Sequence, residues 1–413
     1  MEMFSAIMKL FLKTFAFVPL NALFWVVLII ILTQFRRIAG MEKKLFGRVK
    51  TEIPQRLATS LIFGIAGGFT ASLLLFLLGV SLTDVGIIYI LPLALLLMLI
   101  KMRYLCFAYA GGIIALLASI IQLFPAVPFW ETPVISGIYR LHVPGLLSLI
   151  AVLHFTESLL MRLSGHLHPS PVFVKTPQGK IVGGFSLQSF WPLPLVGLAV
   201  AAALQFPVTG DTIPMPDWWP LLGTAWNIPD GEELVYLMLP LVAWLGYGDI
   251  ALSSSPREKV RLSSRNLALY SLALLFLAFL AAYYPLLCFP AALLSPLGHE
   301  LVILLGNKLE FQGNYLYAPP VKGVKVLDTF PSSPAASVFE PGDVIVTVAG
   351  EEVNSIPDFW KAIYQYYPYL YLEVQKTGGR LEKKKLSLPS QDIRDIGVIL
   401  VPENPPAYTV LKY

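Results

Sequence analysis

The stretch Leu57-Ala-Thr-Ser-Leu-Ile-Phe-Gly-Ile-Ala-Gly-Gly-Phe-Thr-Ala-Ser-Leu-Leu-Leu-Phe-Leu-Leu-Gly-Val80 carries no ionisable side chain. A helix crosses the hydrocarbon core of a bilayer with about 20 apolar residues, about 17 to 25 being the working range. The run therefore reads as a membrane-spanning helix, and Gly64, Gly67 and Gly68 read as small residues that let a neighbouring helix approach closely. Seven more runs meet the same test: residues 20–35, 85–100, 104–124, 143–161, 192–206, 234–252 and 267–284. A ninth, residues 286–305, is interrupted by Pro290, Pro296, His299 and Glu300. Residues 3–18 place Lys9 and Lys13 among apolar groups before Pro19, which suits either an interfacial amphipathic helix or an extension of the first span. No small-residue cleavage site follows this start, so the first segment is expected to stay as an anchor.

Composition agrees with a bilayer as solvent. Of 413 residues, 56% are hydrophobic and 14% charged, against about 25% charged in a soluble globular chain. Cys106 and Cys288 both lie in apolar runs, which favours neither a disulfide framework nor a metal site. The expected fold class is a polytopic α-helical membrane protein of about eight or nine spans, residues 1–306, followed by a soluble α+β domain, residues 307–413.

Basic residues set the orientation, because Lys and Arg are retained in cytoplasmic loops. Arg36, Arg37, Lys43, Lys44, Arg48, Lys50 and Arg56 form a dense cluster after the first span, which puts the N-terminus outside. Alternation then places Lys101 and Arg103, residues 162–180, and Arg257, Lys259, Arg261 and Arg265 inside. Residues 206–233 hold no Lys or Arg but do hold Asp211, Asp217, Asp230, Glu232 and Glu233, with Trp218, Trp219 and Trp226 suited to an interfacial belt. If residues 286–305 cross, the C-terminal domain is cytoplasmic; if they do not, it faces outward.

From Asn307 onward the chain alternates strands, turns and charges. Residues 321–327 and 343–348 read as strands, 357–366 as a helix, and 369–376, 384–388 and 397–401 as later strands. The strings Val324-Lys-Val, Ser333-Pro-Ala-Ala and Glu340-Pro-Gly-Asp-Val-Ile-Val-Thr-Val-Ala-Gly resemble a PDZ domain of the bacterial type, the Pro-Gly-Asp-Val-Ile run being the most specific. That resemblance implies a groove in which an extended peptide or protein tail adds as a strand. Its expected lining is Val321, Lys322, Gly323, Val324 and Val326 on the loop and strand side, with Phe359, Ala362 and Ile363 on the helix. Those Val, Phe and Ile side chains also suit the domain's own core.

Several chemistries lack the residues they require. His299-Glu300 begins like the His-Glu-x-x-His helix of intramembrane metalloproteases, but Ile303 stands where the second zinc ligand belongs. Pro229-Asp230-Gly231, a stand-in for the distant aspartate, comes before the pair rather than after it. No Gly-x-Ser-x-Gly elbow is present, and Ser136-Gly137 lacks the preceding Gly of an intramembrane serine protease. His142, His154, His166 and His168 fall near expected membrane boundaries, and Glu157 stands one turn from His154. A small-solute transporter would need a repeat that the chain does not display. The basic cluster is explained by topology and anionic headgroups, without nucleic acid. No enzyme activity, cofactor or metal is expected.

The whole plan, with Pro19-Leu20-Asn21-Ala22-Leu23-Phe24-Trp25, Gln34-Phe35-Arg36-Arg37-Ile38 and Glu42-Lys43-Lys44-Leu45-Phe46-Gly47, resembles the MinJ-like division topology proteins of Firmicutes, which join a multi-span region to a C-terminal PDZ domain. The resemblance implies a scaffold at septum and poles that bridges a DivIVA-like protein to a MinD-like division inhibitor of the Min system. The residues themselves support a membrane anchor, a basic inner face and a peptide-binding module.

Overall fold

The computed structural model describes residues 2–124, 132–202, 212–223, 233–388, 393–403 and 410–412. The helices of the first half are α1 (Glu2–Phe17), α2 (Ala22–Phe46), α3 (Ile53–Leu78), α4 (Ile87–Met98), α5 (Phe107–Gln122), α6 (Pro133–Tyr139) and α7 (Val143–Ser164). Then come β1 (Ser170–Lys175), β2 (Ile181–Ala202) and β3 (Leu234–Ala251), followed by α8 (Pro256–Tyr283) and α9 (Cys288–Gln312). Among the described residues, six helical segments are long and apolar enough to cross a membrane, and α4 and α5 are shorter apolar helices. Caps mark the ends as the sequence dictates: Asn21 Oδ1 accepts from Leu23 N at 2.9 Å to start α2, and Ser255 with Glu258 forms a reciprocal capping box on α8. The segment of residues 3–18 is a separate helix, α1, packed on α3 through Phe11 and Phe15 against Phe69 and Phe76.

Two of the nine expected spans are strands instead. Residues 192–202 lie in β2 and 234–251 in β3, paired antiparallel from Phe185↔Ala251 to Ala202↔Leu234, while residues 203–206 lie outside the described residues. An apolar run of this length does not distinguish a buried strand from a buried helix by periodicity. Pro192 and Pro194 decide it physically. Proline in a helix interior costs about 3 kcal/mol, whereas on a strand edge it removes an N–H that would otherwise need a partner.

The edge of β2 that faces away from β3 is met by α3, whose Ser60, Gly64, Gly68 and Ser72 recur every four residues. Four helical residues rise about 6.0 Å and two strand residues about 6.6 Å, so the two repeats stay in step. Ser60 Oγ donates to Phe190 O, and Val196 N donates to Ser72 Oγ at 2.8 Å. A Cβ on Gly64 or Gly68 would collide with the carbonyl oxygen of Pro192 or Pro194. Beyond α3, Leu82 N donates to Leu198 O at 2.7 Å and Val200 N to Thr83 Oγ1 at 3.2 Å. The small-residue stripe thus packs a helix on a strand edge, with Gly67 alone of the three glycines facing a helix, at Leu160 of α7.

The C-terminal α+β unit contains β4 (Val324–Thr329), β5 (Val344–Val348), β6 (Glu351–Glu352), α10 (Ile356–Tyr366), β7 (Tyr369–Gln375), β8 (Leu381–Ser387), the short α11 (Ile393–Ile396) and β9 (Val398–Leu400). Its sheet runs β8-β7-β5-β4-β9, with β6 paired to β5. A last strand, β10 (Val410–Lys412), leaves this unit and pairs parallel to β1. The helix α9 runs past the boundary expected at residue 306, and regular sheet begins only at Val324. Phe359, Ala362, Ile363, Val326, Ile345 and Leu370 form its buried core.

Candidate functional site

The residues expected to line a peptide groove are placed differently from that expectation. β4 has β5 on one side, through Val324↔Ile345, and β9 on the other, through Val326↔Leu400 and Thr329↔Val398. Val401 N also donates to Lys325 O at 2.9 Å. Its main chain therefore has both edges occupied, and no strand can add there. Val324, Val326, Phe359, Ala362 and Ile363 are all buried in the domain core. Val321 and Lys322 are exposed. Gly323 (φ +85°) supplies a tight turn whose N–H donates to Asn354 Oδ1 at 3.1 Å, and a Cβ there would fall 2.7 Å from Ile345 O.

An apolar groove among the described residues lies one strand over. It has a volume of about 240 Å³ and is walled by Val398, Ile399 and Leu400 of β9, by Ile356 and Trp360 of α10, and by Phe330. Its remaining wall is Leu45 and Phe46 at the end of α2, with Phe173 of β1. In the sheet order given above, β9 is the terminal strand next to β4. In the sequence, Gly397 before a β-branched pair and Trp360 on the helix are the residues that could have pointed to this groove.

The same junction ties the domain to the basic loop between α2 and α3. The Arg48 guanidinium lies 4.2 Å from the centre of the Phe330 ring, and Lys50 pairs with the buried Asp328. Burial raises the Asp328 carboxyl above its ordinary range, and the Lys50 charge opposes that shift. Beneath this contact, Arg56 and Glu42 form a buried ion pair at 2.6 Å. Glu42 also accepts from Ser170 Oγ at 2.6 Å and Lys50 N at 2.9 Å, and Arg56 donates to Thr51 O and His168 O. Three residues of the basic cluster, Arg48, Lys50 and Arg56, thus also hold β1 and the C-terminal domain.

The remaining candidates separate clearly. His154 and His299 come together with Cys106, their ligand-capable atoms all within 4.8 Å of one another. Glu300 accepts from Arg103 Nη2 and from Tyr109 OH, both at 2.6 Å. Among the described residues no hydrogen bond joins His154 to Glu157; His154 Nδ1 pairs with Ile150 O at 2.8 Å instead. Lys259, expected in a loop, is buried in α8 and paired with Asp249 at 3.2 Å. Trp219 is buried and donates to Phe76 O, whereas Trp218 is exposed. Asp230 and Trp226 lie outside the described residues.

The architecture defines a class first: a bundle with six apolar helices long enough to span a membrane, joined to an α+β sheet domain. No family model matches the chain. It is similar along its length to the cell division topological determinant MinJ of Bacillus subtilis (strain 168), with 22% identity over 396 residues, covering 95% of each chain. The PDZ domain of the SdrC-like protein from Listeria monocytogenes is 24% identical, covers 20% of this chain and 90% of that domain, and gives a TM-score of 0.18.

Proposed function

We propose that this protein is a multi-pass membrane scaffold that helps place the division site, bridging a DivIVA-like and a MinD-like protein at septum and poles. The observation that carries the reading is the similarity to MinJ over 95% of both chains, because it spans the helical bundle and the C-terminal domain together. The peptide-binding element of that scaffold is the groove between β9 and α10, whose apolar walls suit the side chains of an extended segment. The domain is held to the loop containing Arg48 and Lys50, and the positive-inside rule favours the cytoplasm for that loop. This supports a cytoplasmic PDZ-like domain within reach of cytoplasmic partners. No catalytic role is assigned.

Two measurements test this. A C-terminal reporter active on only one side of the membrane is expected to report the cytoplasm; an external signal overturns the bridging role of the domain. In cells, deleting the gene is expected to delocalise a fluorescent MinD-like protein, and Trp360→Arg is expected to do the same while the protein stays in the membrane. Unchanged placement in the deletion strain rejects the scaffold reading itself.

A further inference from the structure

The hairpin of α4 and α5 is too short to be an ordinary pair of spans. At 1.5 Å per residue α4 is about 18 Å long and α5 about 24 Å, against a hydrocarbon core of about 30 Å. Between them the chain makes a 3₁₀ turn, Met102–Leu105, and then Cys106 caps α5. That tip does not reach an end of the bundle. It meets His154, midway along α7, and His299, midway along α9. Non-helical backbone at such depth is tolerated where protein surrounds it or where it lines a polar site.

What the tip meets there is a set of ligand atoms. Cys106 Sγ lies 3.0 Å from His154 Nε2 and 3.9 Å from His299 Nε2. Ile150 O can only accept, so His154 Nδ1 donates to it at 2.8 Å, and Nε2 is the nitrogen that faces the cysteine. This backbone anchoring of the remote nitrogen is how metal-bound histidines are commonly oriented. His299 turns Nε2 toward the same thiol, and its other ring nitrogen, Nδ1, is buried with no hydrogen-bond partner among the described residues and does not face the cysteine. The thiol has one proton to give, so at most one of the two Nε2 atoms that it faces, at 3.0 and 3.9 Å, accepts from it.

One metal ion would give the three clustered ligand atoms a common partner. With Zn–S of about 2.3 Å and Zn–N of about 2.0–2.1 Å, tetrahedral angles put a sulfur and a nitrogen ligand about 3.5–3.6 Å apart, between the two S···N separations observed. One thiolate and two imidazoles suit zinc or cuprous copper and not magnesium or calcium. Glu300 is not among the clustered ligand atoms; its oxygens accept from Arg103 and Tyr109. Arg103 instead balances its charge at 2.6 Å. We propose that Cys106, His154 and His299 bind one zinc-class transition-metal ion in the interior of the bundle, stapling the α4–α5 tip to α7 and α9. The thiol proton leaves as the ion binds, and a water completes the tetrahedron.

The test uses the full chain in detergent, purified without a polyhistidine tag. Metal analysis of the isolated protein is expected to find about one ion per chain, and chelated protein titrated with Co²⁺ is expected to show a thiolate-to-cobalt charge-transfer band that Zn²⁺ abolishes. Cys106→Ser removes the band, Cys288→Ser keeps it, and His299→Gln weakens binding by roughly a hundredfold, at least the loss typical of removing a supporting group. Because these side chains are partly buried, a second measurement uses the Cys288→Ser chain with every site residue intact: Zn²⁺ is expected to block maleimide labelling of Cys106 and a chelator to restore it. A folded wild-type chain with no metal and no thiolate band overturns the proposal, as does a band that survives Cys106→Ser or labelling that ignores Zn²⁺.

Discussion

Two buried polar clusters sit in the bundle, and they are built on opposite principles. At the basic end, Glu42 and Arg56 are almost fully enclosed, and protein groups close the network: a carboxylate, a guanidinium, a serine hydroxyl and main-chain groups of the α2–α3 elbow and the approach to β1. In the interior, Cys106, His154 and His299 bring three ligand-capable atoms together, two imidazole nitrogens facing a single thiol. Buried polar groups are normally partnered by the protein itself or by something bound. The first cluster therefore reads as a structural joint and the second as a site.

Removing one partner of the closed cluster gives the largest expected effect. Arg56→Met leaves Glu42 charged and enclosed, and breaking a buried pair in this way costs about 3–5 kcal/mol. Denaturant unfolding of the detergent-solubilised protein measures it. Replacing both, Glu42→Met with Arg56→Met, is expected to recover a substantial part of the loss, because the stranded charge goes with the pair. Neither chain's loss should change on adding a chelator. The open cluster should behave in the reverse way: wild-type stability falls by about 2.7 kcal/mol on chelation from a free metal concentration a hundred times the dissociation constant, and Cys106→Ser abolishes that dependence.

Next in size is the contact between α3 and β2. Gly68→Leu drives a side chain into the Pro194 carbonyl, and overpacking of this kind costs about 1–3 kcal/mol. Leu at Ile65, which is exposed on the same helix, is expected to change stability by less than about 0.5 kcal/mol. Equal effects at the two positions would remove the strand-edge account of the stripe.

How much of this was legible beforehand follows from the kind of signal each feature leaves. Long helices such as α2, α3, α7 and α8 announce themselves by length and apolarity, and so does α9 despite Pro296. The strands β2 and β3 have the same apolar composition, and only the two-residue spacing of Pro192 and Pro194 marks β2 as extended. In the C-terminal unit the strands and α10 were recoverable, but the groove was assigned to β4 because a strand's position in a sheet is set by long-range pairing with β9. The Cys106–His154–His299 cluster leaves no local trace: its members are 48 and 145 residues apart, and the α4–α5 turn unites them. The Glu42–Arg56 pair was hidden inside a run of charges that resembles any cytoplasmic loop.

The smallest effect expected at the closed cluster is a dependence on pH. His168 sits at its rim, with its carbonyl bonded to Arg56 and its Nε2 2.9 Å from Thr59 Oγ1. Burial, reinforced by the positive charges of Arg56 and Lys50, pushes its pKa down to about 4. An unfolded histidine titrates near 6.5, so above that pH the ring is neutral in both states and its contribution to stability is fully present. As pH falls from about 6.5 toward 4 the unfolded chain takes up a proton that the folded chain refuses, and that stability is lost. The ring is partly exposed, so solvent screening reduces the loss to about 1 kcal/mol. His168→Gln should flatten this part of the unfolding profile between pH 7 and pH 4, and an unaltered slope would mean that other groups carry the acid sensitivity of the joint. The metal cluster is expected to lose its ion over the same acidic range, as protons compete for its thiolate and imidazoles, so the measurement belongs in chelator, where loss of the ion cannot contribute.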